Sequence, residues 1–253
     1  MRDGYTQTAD LRMYWQLHGE ATVATPLLLI HGGGETIEQC WGGMIPVLSV
    51  DRLVLAIEEE GHGRTRATDR PLTSAASAED IRYVLDDLGL EAVDVVAFSA
   101  GCQTAIALAL AHPERIRRLV LCSAPWRRDA MVEGFWDGLV AGGPDDMPEE
   151  FREEYLRLNP GDIEGFRRFW ELDSRRMLDF TDWADSEVAS IGHPALVVAG
   201  DRDVVTVHSA VRLANTLQNA RLLVLPAQHG DYLGQDAGLR DASAPLLRRF
   251  LDG

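Results

Sequence analysis

Cysteine is scarce in this 253-residue chain, which holds only Cys40, Cys102 and Cys122. An odd count without metal-ligand spacing argues against a disulfide framework and fits free thiols in a reducing compartment. Positive charge is short as well: Arg and Lys number 24 against 40 Asp and Glu, a formal net charge of −16. Such a field repels phosphate backbones and anionic lipid, so neither nucleic acid nor a membrane is an expected partner, and strongly anionic substrates are disfavoured. No apolar run approaches the roughly 18 residues that a spanning helix needs. The N-terminal MRDGYTQTADLRMYW also lacks the apolar core of a signal peptide. The expectation is a cytoplasmic globular protein, monomer or homodimer, that acts on a small molecule. His and Asp residues are scattered singly, so no metal site is expected. HGGG at 31–34 lacks the Lys-Ser/Thr ending of a phosphate loop and no G-x-G-x-x-G opens a helix, so no cofactor is implied.

What the chain does have is apolar punctuation. TPLLLIH (25–31), RLVLAIE (52–58), VDVVAFS (93–99), RIRRLVLCSA (115–124), PALVVAG (194–200) and ARLLVLPA (220–227) are short, rich in Val, Ile and Leu, and almost continuously apolar. This is the pattern of parallel strands covered on both faces. Helical segments lie between them. In SAEDIRYVLDDLGL (77–90), Ile81, Val84, Leu85 and Leu88 recur at helical spacing, with Ser77 as the expected cap. AGCQTAIALALAHPER, HSAVRLANTLQNA and DASAPLLRRFLDG supply three more helices, the first ending at His112 ahead of Pro113. TQTADLRMYWQLHG reads as a hairpin adding antiparallel strands at one edge. Alternating strand and helix imply an α/β fold with a doubly wound, mostly parallel sheet of about eight strands and helices on both faces.

Residues 126–192 break the alternation. They contain no convincing strand, but four of the six tryptophans and many charges, the composition of amphipathic helices. The expected organisation is a core of 1–125 and 193–253 with a helical cap of 126–192 inserted after strand six. Trp126, Phe135 and Trp136 are the cap residues expected to line a substrate pocket.

The stretch VVAFSAGC sets Ser99 between a buried strand and a helix start. A serine there is either an ordinary turn residue or a nucleophile held at a strained corner, where the free N–H groups of the helix favour developing negative charge. Small residues at 97, 100 and 101 are what the crowded bend requires. A serine hydroxyl needs a base, and the base an orienting acid. Asp201 and Asp203 follow one later strand; His229 and Asp231 follow the next. All lie at the carboxyl ends of parallel strands, where doubly wound sheets bind ligands.

With HGGG (31–34), EGHGRT (60–65), AFSAG (97–101), HPERIRRLVL (112–121), GDRD (200–203) and QHG (228–230), the chain resembles the α/β-hydrolase fold family over nearly its whole length. That resemblance implies Ser99 as nucleophile, His229 as base, Asp203 as acid, and the N–H groups of Ala100 and Gly33 as oxyanion hole. It departs from the family pattern at Ala97, at Glu60 before GHG, and in having nothing aromatic after His229. The last feature weighs against relatives that cleave carbon–carbon bonds in dienoic acids. His31 and His62, in tight glycine loops, read as backbone braces. The expected activity is hydrolysis of a small carboxylic ester or lactone through an acyl-enzyme. Thioesterase, perhydrolase and small aminopeptidase activities stay open, as does a different class altogether, a receptor binding a small molecule under the cap.

Overall fold

The hairpin expected at the N-terminus is present: β1 (Arg2–Gln7) and β2 (Arg12–His18) pair antiparallel, and β2 in turn pairs antiparallel with β4. In this computed structural model, which describes residues 1–253, the remaining strands are β3 (Leu27–Ile30), β4 (Val54–Ile57), β5 (Val93–Phe98), β6 (Ile116–Cys122), β7 (Ala195–Gly200) and β8 (Ala220–Leu225). They join in one sheet of order β1-β2-β4-β3-β5-β6-β7-β8, with β3 to β8 running parallel. β3, β4, β5 and β7 are buried at every residue, as their unbroken apolar runs demand. The two edge strands are more open, β1 exposing Tyr5 and β8 exposing Leu222 and Val224.

Successive strand residues point to opposite faces, so each strand feeds two cores. Leu28, Ile30, Val95, Ala97, Leu119 and Leu121 face one; Leu27, Leu29, Val96, Phe98, Val120 and Cys122 face the other. Ten helices supply cover and connections: α1 (Ile37–Trp41), α2 (Ile45–Leu48), α3 (Ser74–Asp87), α4 (Ala100–Ala111), α5 (Phe135–Ala141), α6 (Glu149–Leu158), α7 (Ile163–Leu178), α8 (Asp185–Ala189), α9 (Val207–Thr216) and α10 (Ala237–Asp252). Cover for the first core comes from α3, α4 and α9, and for the second from α1, α2 and α10. α3 begins earlier than its apolar spacing suggested. Thr73, not Ser77, caps it, taking the Ala76 N–H on its hydroxyl, while Ser77 is buried one turn in.

Between β6 and β7 the chain runs through α5, α6, α7 and α8 and forms no strand beyond a single bridge, Met131 to Val205. Both ends of this insertion are built into the core rather than perched on it, since Trp126, Ala130, Val188 and Ile191 all pack in the larger apolar cluster. No helix is long and apolar enough to cross a membrane.

Candidate active site

Ser99 stands where β5 hands over to α4, with φ 48° and ψ −124°. Only Ser99 and Ser123 among the non-glycine residues have positive φ. Such backbone costs on the order of 1–3 kcal/mol and persists only where the surroundings enforce it. Enforcement here is visible: the Ser99 N–H donates to the Cys122 carbonyl at 2.9 Å, pinning the corner to β6. Gly101 must be glycine, because a Cβ there would sit 2.3 Å from the His31 carbonyl oxygen. Ala97, by contrast, carries its methyl group into the core without exposure.

His229 Nε2 lies 3.0 Å from Ser99 Oγ, and His229 Nδ1 lies 2.6 Å from Asp203 Oδ1. Burial works to raise the Asp203 pKa, but hydrogen bonding and charge from His229, together with bonds from the Ser123 hydroxyl and the Val205 N–H, hold the carboxyl below the ordinary value. An ionised Asp203 can only accept, so Nδ1 carries the imidazole proton. Nε2 is then the acceptor turned to the serine. Asp201 and Asp231 do other work: Asp201 accepts the Ala227 N–H at 3.0 Å, tying its turn to the segment after β8, and Asp231 accepts the Gln228 N–H at 2.9 Å, bracing its own turn. The ring of Phe98 lies under His229 with centroids 4.7 Å apart.

The loop after β3 completes the corner. Gly32 N–H donates to Glu35 and Gly34 N–H to His62 Nε2, whereas the Gly33 N–H between them donates to no protein group. Ala100 is the first residue of α4, where an N–H has no helical carbonyl to meet. His31 and His62 are the braces their loops suggested. Nδ1 of His31 meets the Gly32 carbonyl at 2.7 Å and its Nε2 accepts from Glu59 N–H at 3.0 Å; Nδ1 of His62 meets the Glu60 carbonyl at 3.0 Å. Burial drives both imidazoles below their ordinary pKa, which keeps them neutral in these roles.

The run Glu58-Glu59-Glu60 is wholly enclosed. Each of the three buried acids meets its own arginine: Glu58 with Arg64 at 2.6 Å, Glu59 with Arg176 at 2.9 Å and Glu60 with Arg70 at 2.5 Å. For Glu58 burial still outweighs Arg64 and pushes its pKa up to about 7. Arg176 belongs to α7, and it also pairs with Asp173 one turn earlier at 2.6 Å. The Asp173 carboxylate lies against the loop after β3, 2.7 Å from where a Gly33 Cβ would be. Met147 and Phe151 crowd Gly34 in the same way, and Phe169 meets His62 edge-on at 4.8 Å.

Of the residues expected to line a pocket, Trp126 does not. Trp126 has no exposed surface; its indole N–H donates to Ser209 Oγ on α9 at 2.9 Å, so it anchors the insertion to the core. Phe135 and Trp136 pack edge-on against each other at 5.1 Å, and Trp136 donates to the Arg128 carbonyl. Residues of the insertion that reach the loop after β3 are instead Met147, Phe151 and Asp173. Nothing in PDDMPEEF or ELDSRR marks them, because neither stretch carries a chemical signature. A cavity of about 370 Å³ lies between α3, α4 and α7, lined in part by Leu72, Ala107, Leu172, Arg176, Phe180 and Trp183. Nowhere do three or more His, Cys, Asp or Glu side chains converge as metal ligands, and the three cysteines are buried and unpaired.

Residues 25–179 match the family model for the alpha/beta hydrolase fold. Among characterised sequences, the chain is 28% identical to a 2-hydroxymuconate semialdehyde hydrolase of Pseudomonas sp. strain CF600, over 89% of this chain and 86% of that one. It is likewise 28% identical to a pimeloyl-[acyl-carrier protein] methyl ester esterase of Neisseria meningitidis, over 89% of this chain and 92% of that one. The crystal structure of a meta-cleavage product hydrolase from Pseudomonas fluorescens IP01 superposes with a TM-score of 0.82 at 24% identity, covering 98% of this chain and 97% of its own.

Proposed function

The chain belongs to the α/β-hydrolase fold family, and from that premise we propose that it is a serine hydrolase cleaving a small carboxylic ester or lactone through an acyl-enzyme on Ser99. The observation that carries this reading is the unbroken line from Ser99 Oγ through His229 to Asp203, with Ser99 held in left-handed backbone at the mouth of α4. His229 Nε2 takes the hydroxyl proton as Oγ attacks the substrate carbonyl. The resulting oxyanion meets the Gly33 and Ala100 N–H groups, both without another partner to surrender. Collapse expels the alcohol, which leaves with the proton from His229. Water then repeats the sequence on the acyl-enzyme, returning Ser99 and releasing the acid. Asp203 stays ionised and stabilises the imidazolium at each proton transfer.

A neutral ester suits the site better than an anion. Asp173 adds a carboxylate beside Gly33, and the Arg176 guanidinium is already engaged by Glu59 and Asp173. We assign the acyl group to the side of the Ser99 corner where Met147 and Phe151 close on Gly34; the cavity beside α7 has none of Ser99, Ala100, Gly33 or His229 in its wall. Likeness to the 2-hydroxymuconate semialdehyde hydrolase supports a second reading, hydrolysis of a carbon–carbon bond in such a dienoate. Against it stand the acidic surroundings and Gly230, rather than an aromatic residue, after His229.

The test is turnover of the purified protein on short p-nitrophenyl esters, lactones, thioesters and 2-hydroxymuconate semialdehyde, beside fluorophosphonate labelling. Expected are multiple turnovers on the esters, labelling at Ser99, and loss of both in a folded Ser99→Ala variant. Preference for the dienoate would establish the second reading, and a few turnovers or none would mark a receptor. Robust hydrolysis by the alanine variant would remove Ser99 from the chemistry.

A further inference from the structure

We propose that Ser123 and Tyr232 are positioning residues for the hydrolysis: two hydroxyls in series that clamp the far oxygen of Asp203 while His229 holds the near one. The proposal rests on the function proposed above and extends its hydrogen-bonded line from three residues to five.

Ser123 follows the last residue of β6, between the strand that ends at Ser99 and the strand that precedes Asp203. It is fully buried with φ 51°, so the chain's two non-glycine left-handed residues are both serines at neighbouring strand ends. Glycine adopts that backbone without strain. A buried serine there keeps the strain and adds one hydroxyl, and that hydroxyl has two partners. It bonds Asp203 Oδ2, and it lies 2.6 Å from the Tyr232 hydroxyl. The Ser123 N–H donates to the Val198 carbonyl at 2.8 Å, fixing the side chain between β6 and β7.

Proton order follows from the charges. Asp203, ionised, has no proton to give, so Ser123 donates to it and keeps only lone pairs for its other neighbour. Tyr232 must then donate to Ser123. The phenol is fully enclosed, and Ser123 is its only side-chain partner. Tyr232 and His229 sit three residues apart on one loop, so this loop straddles Asp203 and reaches both carboxylate oxygens, Oδ1 directly and Oδ2 through Ser123. The other contact to Oδ2 is the Gly200 N–H, at a long 3.3 Å.

A donor on Oδ2 does two things. It stops the carboxylate rotating out of line with Nδ1, and it draws negative charge away from the oxygen facing His229. Without it the imidazolium is better stabilised, so His229 keeps its proton to higher pH and the acid limb of the rate profile moves up. Merely filling a turn would move neither.

The decisive variants are Ser123→Gly, Tyr232→Phe and the double change, assayed as kcat and KM on p-nitrophenyl acetate from pH 5 to 9. Thermal melts and the low-field Nδ1 proton resonance in one-dimensional NMR accompany them. Ser123→Gly removes the hydroxyl but relieves the backbone, so it is expected to melt within about 3 °C of wild type, with kcat down roughly tenfold and the acid limb shifted upward. Tyr232→Phe leaves Ser123 donating to Asp203, so its loss is smaller and its shift has the same sign. Because Tyr232 acts only through Ser123, the double variant should be no slower than Ser123→Gly. A Ser123→Gly enzyme with wild-type kcat, acid limb and Nδ1 resonance overturns the proposal, and multiplicative losses in the double variant overturn the serial arrangement. Should Ser123→Gly fail to fold, Tyr232→Phe with an unmoved acid limb and resonance refutes it alone. If the wild type turns over no ester, the proposed function falls, while the Nδ1 resonance still reads the clamp.

Discussion

Replacing Arg176 by methionine tests whether the helical insertion is locked to the core by a buried ion pair. Arg175 and Arg176 are neighbours on α7, yet the first side chain is 81% exposed and the second 2%. Arg176 reaches from α7 to Glu59, just beyond β4, at 2.9 Å, and methionine keeps most of its apolar stem while removing the charge. Glu59, wholly buried, would then keep the Thr104 hydroxyl at 2.6 Å but no guanidinium. In the wild type, burial works to raise the Glu59 pKa, but Arg176, His31 and the Thr104 bond outweigh it and hold the carboxyl below its ordinary 4.5. Removing one member of such a pair costs about 3–5 kcal/mol, because the survivor stays desolvated. At roughly 2–4 °C per kcal/mol for a chain of this size, Tm falls by about 6–20 °C.

The sign of the pH dependence separates this mechanism from lost packing. With a depressed folded pKa, the wild-type carboxylate contributes stability above the unfolded value, and that contribution is lost as pH falls through the folded one. Without Arg176, burial dominates and pushes the folded pKa up instead, so the penalty is greatest at high pH and fades on acidification. Urea titrations of both proteins at pH 5, 6, 7 and 8 measure the difference, which should be largest at pH 8. Glu59→Gln in the Arg176→Met background should recover most of the loss, and Arg175→Ala should stay within about 0.5 kcal/mol of wild type. A deficit below about 1 kcal/mol at pH 8, or one equal at pH 5 and pH 8, would refute the reasoning.

Asp203→Asn should leave His229 with the wrong tautomer and lower kcat by about 10⁴, whereas Asp201→Asn, which disturbs only the bond to Ala227, should show mainly as a lower melting temperature; reversed losses would move the acid to Asp201. Hydrolysis should rise with pH along a single acid limb, because Nε2 must be unprotonated to accept from Ser99, and a rate flat from pH 5 to 8 would remove His229 from the chemistry. Phe151→Ala, opening the space beside Gly34, should shift preference toward longer acyl chains with little change on the acetate ester. Trp136→Ala should instead lower stability through loss of its bond to Arg128 and leave the chain-length profile unchanged, as steady-state kinetics on a p-nitrophenyl ester series would show.

Local patterning decided a great deal of this protein. Apolar runs without polar interruption became parallel strands, buried on both faces in β3, β4, β5 and β7 down to the alternation that sends Leu28 and Leu29 into different cores. ARLLVLPA instead became the edge strand β8 with Leu222 and Val224 exposed, and nothing in its own sequence says that no strand follows beyond it. A serine between a buried strand and a run of small residues had little choice but a tight corner, and Gly101 is there because no side chain fits beside the His31 carbonyl. The order Ser99, Asp203, His229, each past its own strand, was enough to anticipate their meeting at one sheet edge. Short-range signals failed wherever the partner lay far along the chain. Asp201, Asp203 and Asp231 look alike in sequence; only the packing of β7 beside β8 decides which carboxylate reaches His229, which ties the two loops together at Ala227 and which braces its own turn. Three consecutive glutamates could not be read at all, since the arginines that make them tolerable come from positions 64, 70 and 176. Trp126 looked like a pocket wall and is an anchor, and Ser123 looked like the end of a strand and stands behind Asp203. A strand or a helix is specified by neighbours a few residues away, so periodicity reveals it. A hydrogen bond or ion pair is specified by direction and distance to one atom, and those exist only once the chain has folded.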